Sequence, residues 1–214
     1  MGRLIAVVGN SGVGKTALTQ RLCQLGPFTG GLEQHQARPF QGLFAQENQR
    51  YGLANQVDYL LLRAEQEASL RASDLDGVQD GGLEMDFYVF TRHFYNLGYL
   101  HLAEYELCQR LYRQLRRGLP APEVFVSMTA PLEVIASRFA RRGRALEIAR
   151  LAELHALQAL LDGWLEQAER AGARLVRVDA SQEDPGYERT GQAILARVLQ
   201  ALPAAGEGVV GDAG

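Results

Sequence analysis

The chain has 214 residues, 47% apolar and 22% charged, with a formal charge of -3 at pH 7. Those proportions suit one globular domain with a full core and exclude a fibrous or wholly disordered chain. The slight acidity offers no electrostatic footprint for a nucleic-acid polymer, and no apolar run approaches the roughly 18 residues of a membrane span.

Met1-Gly2-Arg3 leads straight into an apolar run, without signal-peptide anatomy, so a cytoplasmic chain is expected. Arg3 to Val8 reads as a short strand buried on both faces, ending at Gly9. Thr16 to Leu25 has helical spacing through Leu18, Leu22 and Leu25. Residues 26–46 are rich in Gly, Pro and Gln, with a short strand expected around Gly31–Glu33. Gln49 to Leu70 predicts a helix, Asp74 to Asp80 a brief strand, and Met85 to Arg117 one long helix that is aromatic early. Glu123 to Met128 is a further buried strand. Helical patterns cover 131–142 and 146–171, parted by Gly143. Arg174 to Asp179 is the last strand and 186–202 a closing helix; residues 204–214 form a glycine-rich tail expected to be disordered. Alternating strands and helices argue a three-layer α/β domain over residues 1–203, built on a parallel sheet.

Cys23 and Cys108 are too few for a disulfide scaffold or zinc cage and read as two buried thiols in a reducing compartment. Histidines 35, 93, 101 and 155 show no metal spacing, and Trp164 reads as packing. Lys15 is the only lysine among 22 basic residues, which directs attention to its surroundings.

Gly9-Asn10-Ser11-Gly12-Val13-Gly14-Lys15-Thr16 matches G-x-x-x-x-G-K-[ST] between a predicted strand and a predicted helix. Glycines let such a loop wrap a phosphate with its N–H groups turned inward, and the following helix adds its positive dipole end. Lys15 would reach the β- and γ-phosphates and the Thr16 hydroxyl would ligate Mg²⁺, so ATP with Mg²⁺ is the expected cofactor pair. A GTPase base-reading N-K-x-D motif cannot exist with one lysine, and no apolar run closes on two acids as in motor ATPases. Between the helices around it, Arg138, Arg141, Arg142 and Arg144 fall within seven positions. Bidentate guanidiniums on one loop (about 138–147) can neutralise charge during phosphoryl transfer. A solvated basic helix end would look similar.

The P-loop, the R-x-x-x-R-x-R-x-x-E run (Arg138, Arg142, Arg144, Glu147) and the segments between them resemble the deoxynucleoside kinases, from about residue 3 to 171. Glu33 ahead of Pro39-Phe40, Gln56 with Arg63, and Asp80 followed by Asp86 and Phe90 occur in the family's order. The resemblance implies a P-loop kinase fold with a parallel five-stranded sheet and an arginine-rich lid. It also implies transfer of the ATP γ-phosphate to the 5′-hydroxyl of a deoxyribonucleoside, by analogy a deoxypurine, in nucleotide salvage. Glu33 would be the general base; Gln56, Arg63 and Asp86 would bind the base edge and Glu147 the sugar 3′-hydroxyl. Thr16 and Asp80 would hold Mg²⁺, with Arg138, Arg142 and Arg144 on the phosphates. A homodimer, or a heterodimer with a paralogous subunit, is implied as well.

Bland readings stand beside these. A glutamate in a Gly-rich loop is most often a surface carboxylate, and Gln56 and Arg63 at spacing seven could be a structural pair on one helix face. Phe87, Tyr88, Phe90, Phe94 and Tyr95 suit a helix core or a dimer interface better than a pocket wall. The chain also departs from the family pattern. Gly81 and Gly82 replace the Arg-Ser of D-R-S, and Ala45 stands where most members carry a tyrosine. Either another arginine, such as Arg92 or Arg141, supplies the missing charge, or the acceptor differs, or the chain is a nucleotide-binding regulatory subunit with weak activity.

Overall fold

The computed structural model describes residues 2–32, 38–142 and 151–204, apart from the side chains of Phe139, Arg142 and Leu151. Five strands, β1 (Leu4–Gly9), β2 (Phe28–Gly31), β3 (Asp76–Asp80), β4 (Val124–Thr129) and β5 (Leu175–Asp179), form one parallel sheet in the order β2-β3-β1-β4-β5. A parallel sheet must be covered on both faces, and β1 shows why its run is apolar throughout. Ile5 and Val7 enter a core with Leu18, Leu22, Ile194 and Val198, while Ala6 and Val8 enter another with Leu157, Leu161 and Trp164. The first core brings in α1 (Lys15–Leu25), α7 (Leu132–Arg142) and α9 (Gly191–Ala201), and the second α8 (Leu154–Arg170). Trp164 is indeed packing, edge-on to Phe125 at 5.4 Å and stacked near Tyr88 at 6.0 Å.

The strand expected at Gly31–Glu33 lies earlier, at Phe28–Gly31, where Phe28 supplies the buried side chain. Further on come α2 (Gln41–Gln46) and α3 (Asn48–Arg71).

The single helix expected over 85–117 is the largest correction. The segment opens as α4 (Leu83–Met85), widens into a π-helical stretch at Asp86–Thr91, resumes as α5 (Arg92–Asn96) and stops; α6 runs over Leu102–Gly118. The stop is a glycine cap: Tyr99 N–H donates to the Phe94 carbonyl and Gly98 N–H to that of Tyr95, with Gly98 at φ +72°. Glu104 then receives the His101 amide at 2.7 Å to begin α6. The break lets α6 fold back, so that Leu111, Tyr112 and Leu115 meet Leu60 of α3, Leu83 and Phe87. Phe87 stacks on Tyr112 at 4.4 Å, and Phe94 packs on Phe44 at 4.9 Å. The closing helix starts at Gly191 rather than 186, because Asp184 accepts the Arg189 and Thr190 amides across a turn that holds Tyr187 at φ +53°. Of the two thiols, Cys108 is buried and pushed up to about 11 by that burial and Glu104, whereas Cys23 is only half-buried. The tail beyond residue 204 lies outside the described residues.

Candidate active site

The carboxyl ends of β1 and β3 lie side by side, with Val7 in register with Asp80, and both chain segments turn there on glycine. After β1, Gly12 (φ +90°) and Gly14 (φ +113°) adopt conformations that side chains resist. A Cβ on Gly14 would stand 2.8 Å from the Tyr187 hydroxyl, and one on Gly9 2.8 Å from the Met128 carbonyl. At these glycines the loop leaves no room for a side chain. α1 begins at Lys15 with no side-chain cap and no acid in its first turn, which keeps its positive end suited to an anion. Lys15 Nζ donates to the Gly9 and Asn10 carbonyls at 2.9 and 3.2 Å, folding back over the loop.

Thr16 Oγ1 donates to Asp80 Oδ2 at 2.5 Å, joining the phosphate loop to the end of β3. Asp80 is 1% exposed, and its Oδ1 meets no hydrogen-bond donor among the described residues. A buried carboxylate oxygen left open beside a threonine hydroxyl fits Mg²⁺, which takes one or two protein oxygens and completes its shell with water and phosphate. Among the described residues no group of three or more His, Cys, Asp or Glu side chains gathers as a self-sufficient metal cage.

Beyond Asp80 the second half of the site assembles. Arg63 Nε donates to Asp86 Oδ2 at 2.6 Å, and Arg63 Nη1 donates to the Asp80 carbonyl at 3.1 Å. Gln56 Nε2 donates to the Asp86 carbonyl at 3.1 Å, and the Thr91 hydroxyl donates to the same oxygen at 2.9 Å. The π-helical stretch explains this meeting, since its wider register presents the Asp86 carbonyl to side-chain donors. Gln56, Arg63 and Asp86 are each 5% exposed or less. Three residues expected at one place from sequence order are in fact brought together.

The glycine turn after Asp80 lies beside an arginine from another element. Gly81 sits at φ +85°, and a Cβ there would lie 3.2 Å from Arg63 Nη2. The guanidinium beside this turn is therefore Arg63's. Arg92 lies over the rings of Tyr95 and Tyr105, and Arg141 pairs with Glu183 on the surface. Arg138 donates to the Ala180, Gln182 and Val13 carbonyls at 2.7, 3.2 and 3.5 Å, bridging the phosphate loop and the segment after β5. Asn10 ties the loop to α8, through Leu154 O at 2.9 Å and Gln158 Oε1 at 3.1 Å. Ala45 is exposed on α2. Glu33, Arg144 and Glu147, and the Arg142 side chain, lie outside the described residues.

Several residues of the site went unread in the sequence. Thr91 had no motif around it. Tyr187, buried behind Gly14 and pushed up to about 12 by that burial, has a left-handed φ that no pattern announces. Glu67, Glu84 and Arg116, which pair beneath the glycine turn, come from three separate elements.

A phosphate loop at the carboxyl end of a central strand, a buried carboxylate on the neighbouring strand and a polar cluster beyond it define a nucleotide-binding α/β protein of the P-loop kinase fold. The family model described as "Deoxynucleoside kinase" matches residues 5–199, and the chain belongs to that family. A deoxyadenosine/deoxycytidine kinase of Bacillus subtilis (strain 168) is 26% identical over 147 residues, 68% of each chain. Two structures of deoxyadenosine kinase from M. mycoides share the fold. One, with products dCMP and a flexible dCDP bound, has a TM-score of 0.74 at 16% identity over 92% of this chain and 97% of its own. The other, with bound dCTP, has a TM-score of 0.76 at 16% identity over 93% and 100%.

Proposed function

We propose that the chain transfers the γ-phosphate of ATP to the 5′-hydroxyl of a deoxyribonucleoside, with deoxyadenosine as its preferred deoxypurine, in nucleotide salvage. The observation that carries this reading is the alignment of two polar clusters on one strand end: Lys15, Thr16 and Asp80 on the phosphate side, Gln56, Arg63 and Asp86 beyond. Phosphoryl transfer needs mainly in-line positioning and charge stabilisation. Lys15 and the loop amides would hold the donor phosphates, with Arg138, Arg142 and Arg144 lying over them. Thr16 and Asp80 would hold Mg²⁺, which when bound neutralises charge on the phosphate oxygens. Glu33 would accept the proton of the 5′-hydroxyl, and Glu147 would bind the 3′-hydroxyl.

The base preference follows from Gln56. A carbonyl can only accept, so the Gln56 amide is oriented with one Nε2 hydrogen on Asp86, which fixes the direction in which Oε1, an acceptor, and the second Nε2 hydrogen are presented to a ligand. Adenine and cytosine carry an exocyclic amino donor where guanine and thymine carry a keto oxygen. The names and bound nucleotides of the relatives, adenine or cytosine in each case, support the same preference. Labelled ATP with Mg²⁺ and each deoxynucleoside in turn tests it. Deoxyadenosine should exceed deoxyguanosine in kcat/KM by about tenfold or more, the scale of one unpaired buried acceptor. Equal rates would refute the base assignment.

The glycines at 81 and 82 favour a second reading, a nucleotide-binding regulatory or weakly active subunit of a heterodimer. The same assay separates them: no monophosphate above a Lys15→Ala control would select the regulatory role. We read the chain as cytoplasmic and dimeric; sedimentation of the pure chain, alone and with a paralogous subunit, tests that.

A further inference from the structure

The turn between β3 and α4 has no side chain of its own to hold it, yet it separates two carboxylates of the site. Gly81 at φ +85° and Gly82 at φ +150° occupy regions that glycine enters and leaves at little cost. Any drift there would carry Asp80 and Asp86 apart. Arg63 spans the ends of the turn, from the Asp80 carbonyl to the Asp86 carboxylate. Its middle is held from another direction. Glu67 of α3, wholly buried, accepts the Leu83 N–H at 3.2 Å. Arg116 of α6 donates Nη1 to Glu67 Oε2 at 2.7 Å and Nη2 to Glu67 Oε1 at 2.9 Å. The same Nη2 donates to Glu84 Oε2 at 2.8 Å, and Arg116 Nε lies 2.7 Å from Glu84 Oε1 as an ion-pair contact outside hydrogen-bond alignment. Arg116 is pinned in turn by the Pro120 carbonyl at 3.1 Å.

Buried ion networks add little net stability over apolar packing of equal volume, so stability is a poor account of three long charged side chains converging on two glycines. We propose that Arg116, through Glu67 and Glu84, is a positioning residue for the phosphoryl transfer: it clamps the turn Gly81–Glu84 so that Asp80 and Asp86 keep a constant separation. This rests on the function proposed above. The Glu84 carboxyl faces Glu67 from α3, Arg116 and Tyr112 from α6, and Tyr112 in turn adjoins Tyr88 of the π-helical stretch. Burial pushes Glu84 up to about 7, against the pull of Arg116, so the clamp is complete where Glu84 is ionised.

The test uses Arg116→Lys and Glu84→Gln, with Val198→Ala in the distant α9 core as a control for lost stability. A lysine presents one point charge and cannot span two carboxylates. Amide exchange across residues 81–84 should rise about tenfold in both variants, while β1 and β4 stay within about twofold. At 25 °C kcat should fall about tenfold with the KM for magnesium ATP within about threefold, and Val198→Ala should leave kcat unchanged. Wild-type kcat should rise through an inflection near 7 that Glu84→Gln lacks. Unchanged exchange in the turn overturns the clamp, whatever the activity. Faster exchange with kcat within about twofold overturns its role in transfer. If the wild type phosphorylates no deoxynucleoside, the proposed function falls and the catalytic role with it, and the exchange result still decides the clamp.

Discussion

Asp86→Asn is the substitution whose consequence the geometry defines best. The carboxylate accepts Arg63 Nε at 2.6 Å, and the two side chains are 7% and 6% exposed. The change keeps the volume and removes the charge, so the Arg63 guanidinium stays buried, with the Asp80 carbonyl and Gln66 Oε1 among its partners, but without the opposite charge of Asp86. Breaking one side of a buried pair costs about 3–5 kcal/mol, whereas removing both partners for apolar groups is close to neutral. At ~2–4 °C per kcal/mol for a chain of this size, Tm should fall by roughly 6–20 °C. The Asp86 carbonyl keeps Gln56 and Thr91, so helix content should survive. Urea unfolding followed by circular dichroism measures the loss. Arg63→Met should lose about as much, and Arg63→Met with Asp86→Asn should be more stable than either alone. Activity of all three should drop together. The reasoning is refuted if Asp86→Asn unfolds within about 1 kcal/mol of wild type, or if the double variant is simply the sum of the singles.

Three further outcomes are expected. Gly81→Ala should cost about 1–3 kcal/mol in urea because its φ of +85° suits no side chain, and Gly81→Arg should lower kcat rather than restore it, since the new chain would start 3.2 Å from Arg63 Nη2. Glu84 sits near 7 in the folded chain against an ordinary 4.5, so between those values the native state holds more protons than the unfolded one. Stability should therefore decline, by up to about 3 kcal/mol, as pH rises through that window and then level off, and Glu84→Gln should flatten the decline in urea midpoints. Finally, Glu33→Gln should reduce turnover by about 10²-fold or more while calorimetry finds magnesium ATP binding unchanged; survival within a few-fold would remove Glu33 as the base.

The phosphate loop was legible because its chemistry is local. Eight consecutive residues fold against their own backbone, and glycine at 9, 12 and 14 announces the conformations it must take. The apolar run of β1 and the alternation of strands with helices likewise declared a parallel sheet covered on both faces. Gln56, Arg63 and Asp86 could be grouped by the family resemblance, but their mutual bonds could not be read, since Arg63 meets the Asp86 carboxylate and Gln56 its carbonyl only when α3 packs by the end of β3. The stop at Gly98 was written in the letters, but the regular aromatics on either side masked it.

Letters alone, then, specified the anion cradle and the layered architecture, since both follow from short-range backbone preference and apolar periodicity. How charge is arranged behind the cradle was left to packing. Glu67 and Arg116 stand 49 residues apart and meet through the fold-back of α6, and the guanidinium beside Gly81 is that of Arg63, from a helix that the strand's own segment does not contain. Long charged side chains reach several ångströms and choose partners by proximity in space, a quantity that spacing along a chain does not encode.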